Sequence, residues 1–446
     1  MAVPSVRPRS EQALPPTLRT TCAIAGCGPA GAMLGLLLAR AGIDVVVLEK
    51  HADFLRDFRG DTIHPSTLRI LGELGLAARF LEIPHSEVRE MRVRTPGGLV
   101  ALANFSRLRT RYPFIAFVPQ WDFLDFIVRE ASREPSFRLV REAEAVDLIA
   151  DWSASDARVR GVRVRTVDGE HEILADLTVA ADGRGSRLRE AAGLVPIRQS
   201  PPMDVLWFRV SKRAGDPAGS GLMLGDGHVV VMLDRGNYWQ VAYTIPKGGY
   251  NQIRSDGLPA LRASIAHEAP PLTDRVDELT GWDRIFLLRV EANRLPRWWR
   301  PGFLAIGDAA HAMSPIGGVG INLAVQDAVV AANRLALPLI ERRVEPADLA
   351  AIQRSREWPT RIIQAFQAVL QGRAFRRSRG TFPGWFSTLM QLPILGAVPA
   401  QLIGMGAWPV HVRPVRPPAR TARRGRRAPP EVAAPVHHDP GRSARR

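Results

Sequence analysis

The chain has 446 residues, and 46% of them are hydrophobic, which is enough to bury a large core in two or three domains. The formal net charge is +16, but about half of it comes from ten arginines between Arg413 and Arg446, in a Pro/Arg/Ala-rich stretch whose composition predicts a disordered tail. No nucleic-acid recognition motif is present, so nucleic-acid binding is not expected. Cys22 and Cys27 match neither a disulfide framework nor a metal motif, so we predict a reducing compartment and no metal site. No signal-peptide pattern and no apolar run of about eighteen residues is found, and we therefore predict a cytoplasmic protein.

After an N-terminal arm over residues 1–20 that is predicted to be disordered, the sequence has the pattern of a βαβ unit. Its parts are, in order, an apolar strand (21–25), the loop GCGPAG (26–31), a helix (30–41) and a second strand (44–48). In such a unit Gly26 makes the tight turn, Gly28 lets the backbone approach a pyrophosphate, and Gly31 allows close packing of helix on strand. Glu49 ends the second strand and is placed to accept hydrogen bonds from ribose hydroxyls. A dinucleotide site is therefore predicted.

The middle of the chain changes to the two-residue period of β-strands. Residues 157–180 alternate around Asp168-Gly169, which predicts a hairpin, and residues 203–210, 228–234 and 238–245 extend the antiparallel pattern. We therefore predict a second, sheet-based domain inserted here. Two interpretations stay open for its large side chains, the wall of an apolar ligand pocket or an ordinary sheet core. These side chains are Trp207, Phe208, Met223, Met232, Trp239 and Tyr243.

Two further motifs flank this sheet domain. In VAADGRGSRLRE, residues 179–190, Asp182 and Gly183 follow a predicted strand. In FLAIGDAAHAMSPIGGVGINLAVQDA, residues 303–328, a short buried strand leads to Gly307 and Asp308, and an apolar helix is predicted over residues 321–335. A carboxylate at a strand tip followed by a glycine-rich helix start indicates a ligand that lies across a helix N-terminus.

The C-terminal part is predicted to be helical. Residues 359–375 have the spacing of an amphipathic helix, with Ile362, Ile363, Phe366, Val369 and Leu370 on one side, and Phe382, Trp385, Phe386 and Leu389 repeat it. Arg373, Arg376, Arg377 and Arg379 lie between the two. Either these helices pack over the substrate domain, or the basic and apolar surfaces make a peripheral contact with an anionic membrane.

The three motifs, GCGPAG, the DG motif at Asp182-Gly183 and the GD motif at Gly307-Asp308, resemble in order and spacing those of the class A FAD-dependent monooxygenases, the para-hydroxybenzoate hydroxylase-like aromatic hydroxylases. The resemblance covers residues 21–412. It implies an α/β fold, a Rossmann-like FAD-binding domain with an inserted antiparallel β-sheet substrate domain and C-terminal helices. The implied parts are an FAD-binding domain (21–90, 116–200 and 283–340), a substrate domain (91–115 and 201–282), C-terminal helices (341–412) and a basic tail (413–446).

The resemblance also implies which residues contact the cofactor. The loop residues around the pyrophosphate, Glu49 at the adenosine ribose, and Asp308 at the ribityl chain match the family by position. The backbone of Gly320, Ile321 and Asn322 is implied to face N1 and the C2 carbonyl of the flavin, where a helix N-terminus stabilises negative charge. The implied set is Gly26, Gly28, Ala30, Gly31, Glu49, Arg59, Gln120, Asp182, Gly183, Gly307, Asp308, Pro315, Gly320, Ile321 and Asn322.

The implied activity is an NAD(P)H- and O2-dependent hydroxylation of an aromatic or polyketide-like small molecule through a flavin C4a-hydroperoxide. NAD(P)H is expected to dock transiently, because no second dinucleotide fingerprint occurs. No catalytic acid or base is assigned, since His64 precedes a predicted helix start and His311 belongs to the flavin-binding stretch. Substrate identity, hydroxylation position, NADH or NADPH preference and oligomeric state are not predicted.

Three alternatives share these motifs or part of them. A flavin-dependent reductase would keep the fold and change the chemistry. A halogenase would carry Trp-x-Trp-x-Ile-Pro, but residues 241–246, VAYTIP, lack both tryptophans. A drug-sequestering protein would retain flavin only structurally. The intact glycines and acids of all three motifs argue against this last alternative.

Overall fold

A computed structural model describes residues 14–55, 61–95, 98–153, 157–216, 221–224, 228–374 and 393–413. Its central feature is an eight-stranded sheet in the order β19-β20-β11-β1-β2-β8, with β10 and β9 continuing antiparallel from β11. Strands β20, β11, β1, β2 and β8 run parallel. The bounds are β1 Thr17–Ala25, β2 Val45–Leu48, β8 Phe137–Val140, β9 Glu144–Ala150, β10 Val159–Thr166, β11 Gly169–Ala180, β19 Trp299–Arg300 and β20 Phe303–Ala305.

Strand β1 begins at Thr17, four residues before the predicted start. Thr17 pairs with Glu172 and Thr20 with Ala175, because β11 is twelve residues long and offers partners beyond the buried part of β1. The prediction of a disordered arm over residues 1–20 is therefore wrong for residues 17–20, while residues 1–13 lie outside the described part of the chain.

Helices cover both the parallel sheet and the strand ends. Helix α1 is buried along nearly its whole length, and Gly35 lies so close to Phe137 and Val47 that a Cβ atom there would come within 2.9 Å of each. The most apolar stretch of α8, although long enough to cross a membrane, is 72% buried inside the protein, as expected for a core helix. The bounds are α1 Pro29–Arg40, α2 Pro65–Glu73, α3 Ala77–Phe80, α4 Gln120–Ala131, α5 Arg187–Ala191 and α8 Gly320–Ile340.

The inserted domain contains a seven-stranded sheet in the order β17-β13-β16-β15-β14-β5-β6, antiparallel except for the β14–β5 pair. Two smaller sheets have the strand orders β3-β7-β4 and β12-β18. The bounds are β3 Thr62–Ile63, β4 Ser86–Val88, β5 Glu90–Thr95, β6 Gly98–Asn104, β7 Ile115–Phe117, β12 Ile197–Gln199, β13 Met203–Ser211, β14 Gly221–Leu224, β15 Val229–Asp234, β16 Tyr238–Pro246, β17 Phe286–Leu288 and β18 Ala292–Arg294; helices α6 Tyr250–Asp256 and α7 Leu258–Glu268 cover its outer face.

The C-terminal helix α9 spans Pro346–Ala374 without a break at Pro359, so it begins thirteen residues earlier than predicted. Its predicted apolar face is only partly correct, because Ile363 is buried whereas Ile362 and Val369 are exposed. Helix α10 covers Pro393–Gly404. The second predicted amphipathic stretch, Phe382 to Leu389, its neighbouring arginines Arg376, Arg377 and Arg379, and the tail after Arg413 lie outside the described residues. The predicted domain boundaries and membrane contact stay predictions.

Candidate functional site

One cavity of about 1040 Å³ lies where the parallel sheet meets the seven-stranded sheet. Four of its lining residues follow the carboxyl ends of parallel strands: Gly26 after β1, Glu49 after β2, Asp182 after β11 and Asp308 after β20. The carboxyl edge of an open parallel sheet is where ligands bind in such folds. The opposite wall comes from the other sheet and includes Trp207.

Two helices point their N-termini at this cavity. The N-cap of α1 is Gly28 and that of α8 is Val319, and neither helix has a side chain that caps its first N–H groups. A Cβ atom placed on Gly28 or on Gly320 would have no neighbour within 4 Å, so both backbones are open to the cavity. Unpaired N–H groups and the helix dipole make each N-terminus a site for negative charge.

Glu49 fixes the loop between β1 and α1. Its carboxylate is buried, with 9% exposed, and accepts hydrogen bonds from the backbone N–H of Cys27 at 3.2 Å and of His51 at 3.1 Å. The side chain also lines the cavity. The carboxylate thus holds the glycine loop in place and presents acceptor capacity to a ligand hydroxyl.

The DG motif is linked to the GD motif by a buried arginine. Ser186 caps α5 by accepting the N–H of Arg189 at 3.0 Å, and the Arg189 guanidinium donates to the carbonyl of Ala309 at 3.2 Å. Burial raises the pKa of Asp182, although its hydrogen bond with Ser186 opposes the shift. The Oδ1 atom of Asp182 is buried at the cavity and has no hydrogen-bond partner among the described residues. An unpaired oxygen there suits a ligand donor.

Asp327 in α8 fixes the backbone of the GD motif. Its Oδ2 accepts the N–H of Gly307 at 3.0 Å and contacts Nε2 of His311 at 2.6 Å, while its Oδ1 accepts Nε of Arg356 at 2.7 Å. Burial alone would raise the pKa of Asp327, but the charges and hydrogen bonds of His311 and Arg356 bring it below its usual range. This network orients the strand tip, and exposed Asp308 projects from it into the cavity.

The glycine-rich loop before α8 is tied to β3. Thr62 Oγ1 donates to the carbonyl of Gly318 at 2.9 Å. A Cβ atom on Gly318 would lie 2.4 Å from the same Thr62 Oγ1. Gly318 also has a φ of +63°, so glycine is required by both space and backbone conformation. The Asn322 side chain completes the link by accepting from the His64 N–H and from Thr67 Oγ1.

The structure brings most of the predicted cofactor residues to this one cavity. Gly31 and Gly307 support the loops around the cavity but do not line the cavity. Asn322 does not line it either, and its side chain bonds to His64 and Thr67 at the start of α2. Arg59 lies outside the described residues. Those that line the cavity are Gly26, Gly28, Ala30, Glu49, Gln120, Asp182, Gly183, Asp308, Pro315, Gly320 and Ile321. Neither His64 nor His311 lines it, as both are buried against backbone or carboxylate partners.

The pocket-wall interpretation of the large sheet residues holds for Trp207, and the sheet-core interpretation holds for most of the others. Phe208, Met232, Trp239 and Tyr243 pack on the opposite face against α7 and its neighbours, with Met223 at the edge of that cluster. Successive strand residues point to opposite faces, so only every second position can reach the cavity. The residues that do so are smaller: Met203, Val205, Val229, Val231, Leu233, Ala242, Leu288 and Val290.

A buried ion pair beside the cavity, which the sequence patterns did not predict, connects the three-stranded sheet β3-β7-β4 to the seven-stranded sheet. Asp61 precedes β3 and pairs with the guanidinium of Arg235, and Gln240 Nε2 donates to the same carboxylate at 2.9 Å. Burial raises the pKa of Asp61, while Arg235 opposes the shift. No motif signals this contact, because the two partners are 174 positions apart and lie next to strands of different sheets.

Comparisons with known proteins agree with this geometry. A family model described as an FAD binding domain matches residues 19–363. 6-Methylpretetramide 4-monooxygenase of Streptomyces rimosus is 30% identical over 317 residues, which cover 70% of this chain and 74% of that protein. 12-Dehydrotetracycline 5-monooxygenase/anhydrotetracycline 6-monooxygenase of the same species is 28% identical over 331 residues, covering 70% of this chain and 61% of that protein. The crystallised anhydrotetracycline hydroxylase OxyS of S. rimosus has a TM-score of 0.68 at 25% identity, covering 87% of this chain and 76% of its own.

The residues present fit FAD. Two uncapped helix N-termini face the cavity, Gly28 leaves the space that a pyrophosphate needs, and Glu49 and Asp308 supply acceptors at two strand tips. The unpaired Oδ1 of Asp182 adds a third acceptor.

Proposed function

The chain belongs to the FAD binding domain family of flavoprotein monooxygenases, and on this premise we propose that it hydroxylates an aromatic or polyketide-like small molecule with NAD(P)H and O2. The observation that carries the proposal is that the cavity combines a wall that suits a dinucleotide with an opposite wall that is apolar. A flat substrate against the apolar wall would lie next to the flavin ring.

The residues of the cofactor wall bind and orient. Gly28 and the N-terminus of α1 hold the pyrophosphate, and Glu49 accepts from the adenosine ribose. Asp308 accepts from the ribityl chain. The free N–H groups at Gly320 and Ile321 stabilise negative charge near N1 of the ring. FAD held by these residues would supply the redox chemistry, namely the oxidation of NAD(P)H and the activation of O2.

The residues of the substrate wall exclude water and set the substrate class. Valines 205, 229 and 231, Leu288 and Trp207 form an apolar surface, with Thr244 as a polar exception on β16. Such a surface binds a hydrophobic ring system and keeps the reacting centre dry. The two Streptomyces rimosus relatives are named for tetracycline-type compounds, which supports a fused polyketide ring as substrate.

The halogenase alternative is disfavoured by the position of β16. The two positions where that motif would carry tryptophan are Val241 and Tyr243, and both side chains pack into the core on the outer face of the sheet. Ala242 and Thr244 face the cavity instead. We retain the reductase as the alternative to be tested.

The test is NAD(P)H consumption by the FAD-loaded protein with a panel of phenols and fused polyketide rings. A substrate should accelerate consumption, and with isotopic dioxygen the product should carry one labelled oxygen. Val231→Phe should abolish stimulation by filling the apolar wall while FAD stays bound, whereas Val231→Ala should retain it. Hydrogenation of a polyprenyl compound without O2, with no response to any aromatic compound, would favour the reductase.

A further inference from the structure

Helix α9 buries a stripe of polar side chains, which is unusual for the packing face of a helix. The six residues recur at intervals of three or four, so they share one face of the helix. All are at most 9% exposed. We call them the α9 polar stripe: Gln353, Arg356, Thr360, Gln364, Gln367 and Gln371.

The glutamines of the stripe bond to backbone in the segments that lead to and follow the GD motif. Gln353 accepts the N–H of Trp298 at 3.1 Å and donates to the carbonyl of Pro296 at 2.8 Å. About three turns further along the helix, Gln364 donates to the carbonyl of Asn293 at 3.1 Å. These contacts hold the strand region that precedes β20.

At the other end of the stripe the contacts reach the cavity loop itself. Gln367 Nε2 donates to the carbonyls of Ser314 at 2.8 Å and Ile316 at 2.7 Å, one on each side of Pro315. Gln371 Nε2 bonds to the hydroxyl of Ser314 at 2.6 Å. Ser314, Pro315 and Ile316 all line the cavity.

The loop needs such donors because its backbone is irregular. Gly317 and Gly318 have φ values of +79° and +63° within the short 3-10 turn Ile316–Gly318, and Pro315 has no N–H, so the loop lacks the regular hydrogen-bond ladder of an α-helix or a sheet. A glutamine amide carries two N–H donors on one nitrogen and can satisfy both carbonyls at once. An apolar residue at position 367 would remove this donor from the buried carbonyl of Ser314 and the partly buried carbonyl of Ile316.

We propose that Gln367 is a positioning residue for the flavin. By fixing the carbonyls on both sides of Pro315, it sets where the free N–H groups of α8 stand relative to the isoalloxazine ring. Gln371 supports the same turn through Ser314. The proposal depends on the FAD cofactor and is independent of the substrate and of the hydroxylation reaction.

The test compares Gln367→Met with Gln353→Met. Methionine is close to glutamine in size and shape, and both positions belong to the same helix, the same stripe and the same degree of burial. Only Gln367 contacts the cavity loop. Apoprotein is titrated with FAD by flavin fluorescence, and the midpoint potential of the bound flavin and the thermal midpoint of the apoprotein are measured, so that no substrate is needed.

Both variants should lower the thermal midpoint. Gln367→Met should in addition raise the FAD dissociation constant about tenfold, equivalent to about 1.4 kcal/mol, because the loop before α8 loses two hydrogen bonds. It should also make the midpoint potential more negative, because the reduced, anionic ring loses stabilisation. Gln353→Met should leave both flavin properties within about twofold of the parent. Gln367→Glu, whose protonated acid can donate one hydrogen bond, should recover part of the FAD affinity that Gln367→Met loses.

Two results would overturn the proposal. One is a Gln367→Met protein whose flavin affinity and potential match the parent, which would make the residue a stabiliser of the fold alone. The other is an equal effect of Gln353→Met, which would make the stripe a general support. If Gln367→Met does not fold, Gln371→Met, which removes one bond to the same turn, decides between the same outcomes.

Discussion

Gly31 in α1 lies against the carbonyl oxygen of Gly26 so closely that a Cβ atom on Gly31 would stand 1.9 Å from that oxygen. Three residues earlier, a Cβ atom on Gly28 would meet no atom within 4 Å. The two glycines of one loop therefore serve different purposes, since Gly31 is required for the fold and Gly28 leaves room for a ligand.

We expect Gly31→Ala and Gly28→Ala to separate folding from cofactor binding. Gly31→Ala should destabilise the apoprotein by about 1–3 kcal/mol or more through overpacking. Gly28 has φ −71°, which alanine adopts readily, so Gly28→Ala should change apoprotein stability by about 0.5 kcal/mol or less and weaken FAD binding. Urea denaturation of apoprotein and FAD titration measure the two effects. Unchanged FAD affinity in Gly28→Ala would contradict the pyrophosphate assignment.

Removing the carboxylate at the tip of β20 should weaken FAD retention. A hydrogen bond to a charged acceptor is worth about 1.5–3 kcal/mol, so Asp308→Ala should raise the FAD dissociation constant about 10- to 100-fold. Asp283→Ala is a suitable control, because Asp283 is a well-exposed carboxylate with no place in the cavity lining. Equal affinity in the Asp308 variant and the parent protein would refute the role at the ribityl chain.

The basic tail should be dispensable, but the residues just before it should not. Val410 accepts from Arg69, Val412 donates to Glu73, and Asn333 bonds to both His411 and Arg413. A chain ending at Arg413 keeps these contacts and should retain the thermal midpoint and the FAD content of the full chain. A chain ending at Gly404 loses all of them and should unfold at lower temperature. Loss of FAD from the chain ending at Arg413 would show that the tail takes part in the fold.

Stability should fall in mild acid because of His64. Burial lowers the pKa of His64 from its usual 6.5 to about 4, although a hydrogen bond with the carbonyl of Ile403 opposes the shift. The unfolded chain therefore binds a proton below about pH 6.5 that the folded protein takes up only near pH 4, so this contribution is complete above pH 6.5, is lost as the pH falls towards 4, and is constant below that. The total is about 3 kcal/mol.

The measurement is urea denaturation between pH 7 and pH 4.5 for the parent, His64→Asn and His267→Gln. Asparagine can donate to the Ile403 carbonyl without titrating, so His64→Asn should show a shallower loss of stability with acid. His267 is exposed, and its variant should follow the parent curve. Identical slopes for the parent and His64→Asn would contradict the assignment.

Features coded by local sequence were predictable. The glycine loop, the acids at strand tips and the start of α8 follow from turn chemistry and strand order, and a parallel sheet brings its carboxyl ends to one edge. The apolar wall was harder, because strand periodicity assigns residues to two faces without saying which face meets the cavity. Side-chain size did not decide between pocket wall and sheet core, since Phe208, Trp239 and Tyr243 fill the core under α7 whereas Trp207 lines the cavity.

Features that depend on contacts distant in sequence were not predictable. The Asp61–Arg235 pair and the α9 polar stripe join elements with no shared motif. In the stripe, the hydrophobic pattern suggested an apolar packing face, whereas the buried glutamines match unpaired carbonyls that only the folded loop presents. The predicted helix begins at Pro359, but the observed helix also includes the turns before it. In those turns Gln353 bonds to Trp298, just before β19, and Arg356 bonds to Asp327 of α8.

The hydrogen bond between His64 and the carbonyl of Ile403 joins positions 339 residues apart, and Ile403 also closes one side of the cavity. During synthesis the ribosome makes the glycine loop early, β20 with its Asp308 tip after some three hundred residues, and α10 later still. A nascent chain can fold its N-terminal strands and helices first, but the walls of the cavity are incomplete until α10 is free to dock. We therefore expect a ribosome stalled before α10 to hold a chain that displays the glycine loop without retaining the cofactor.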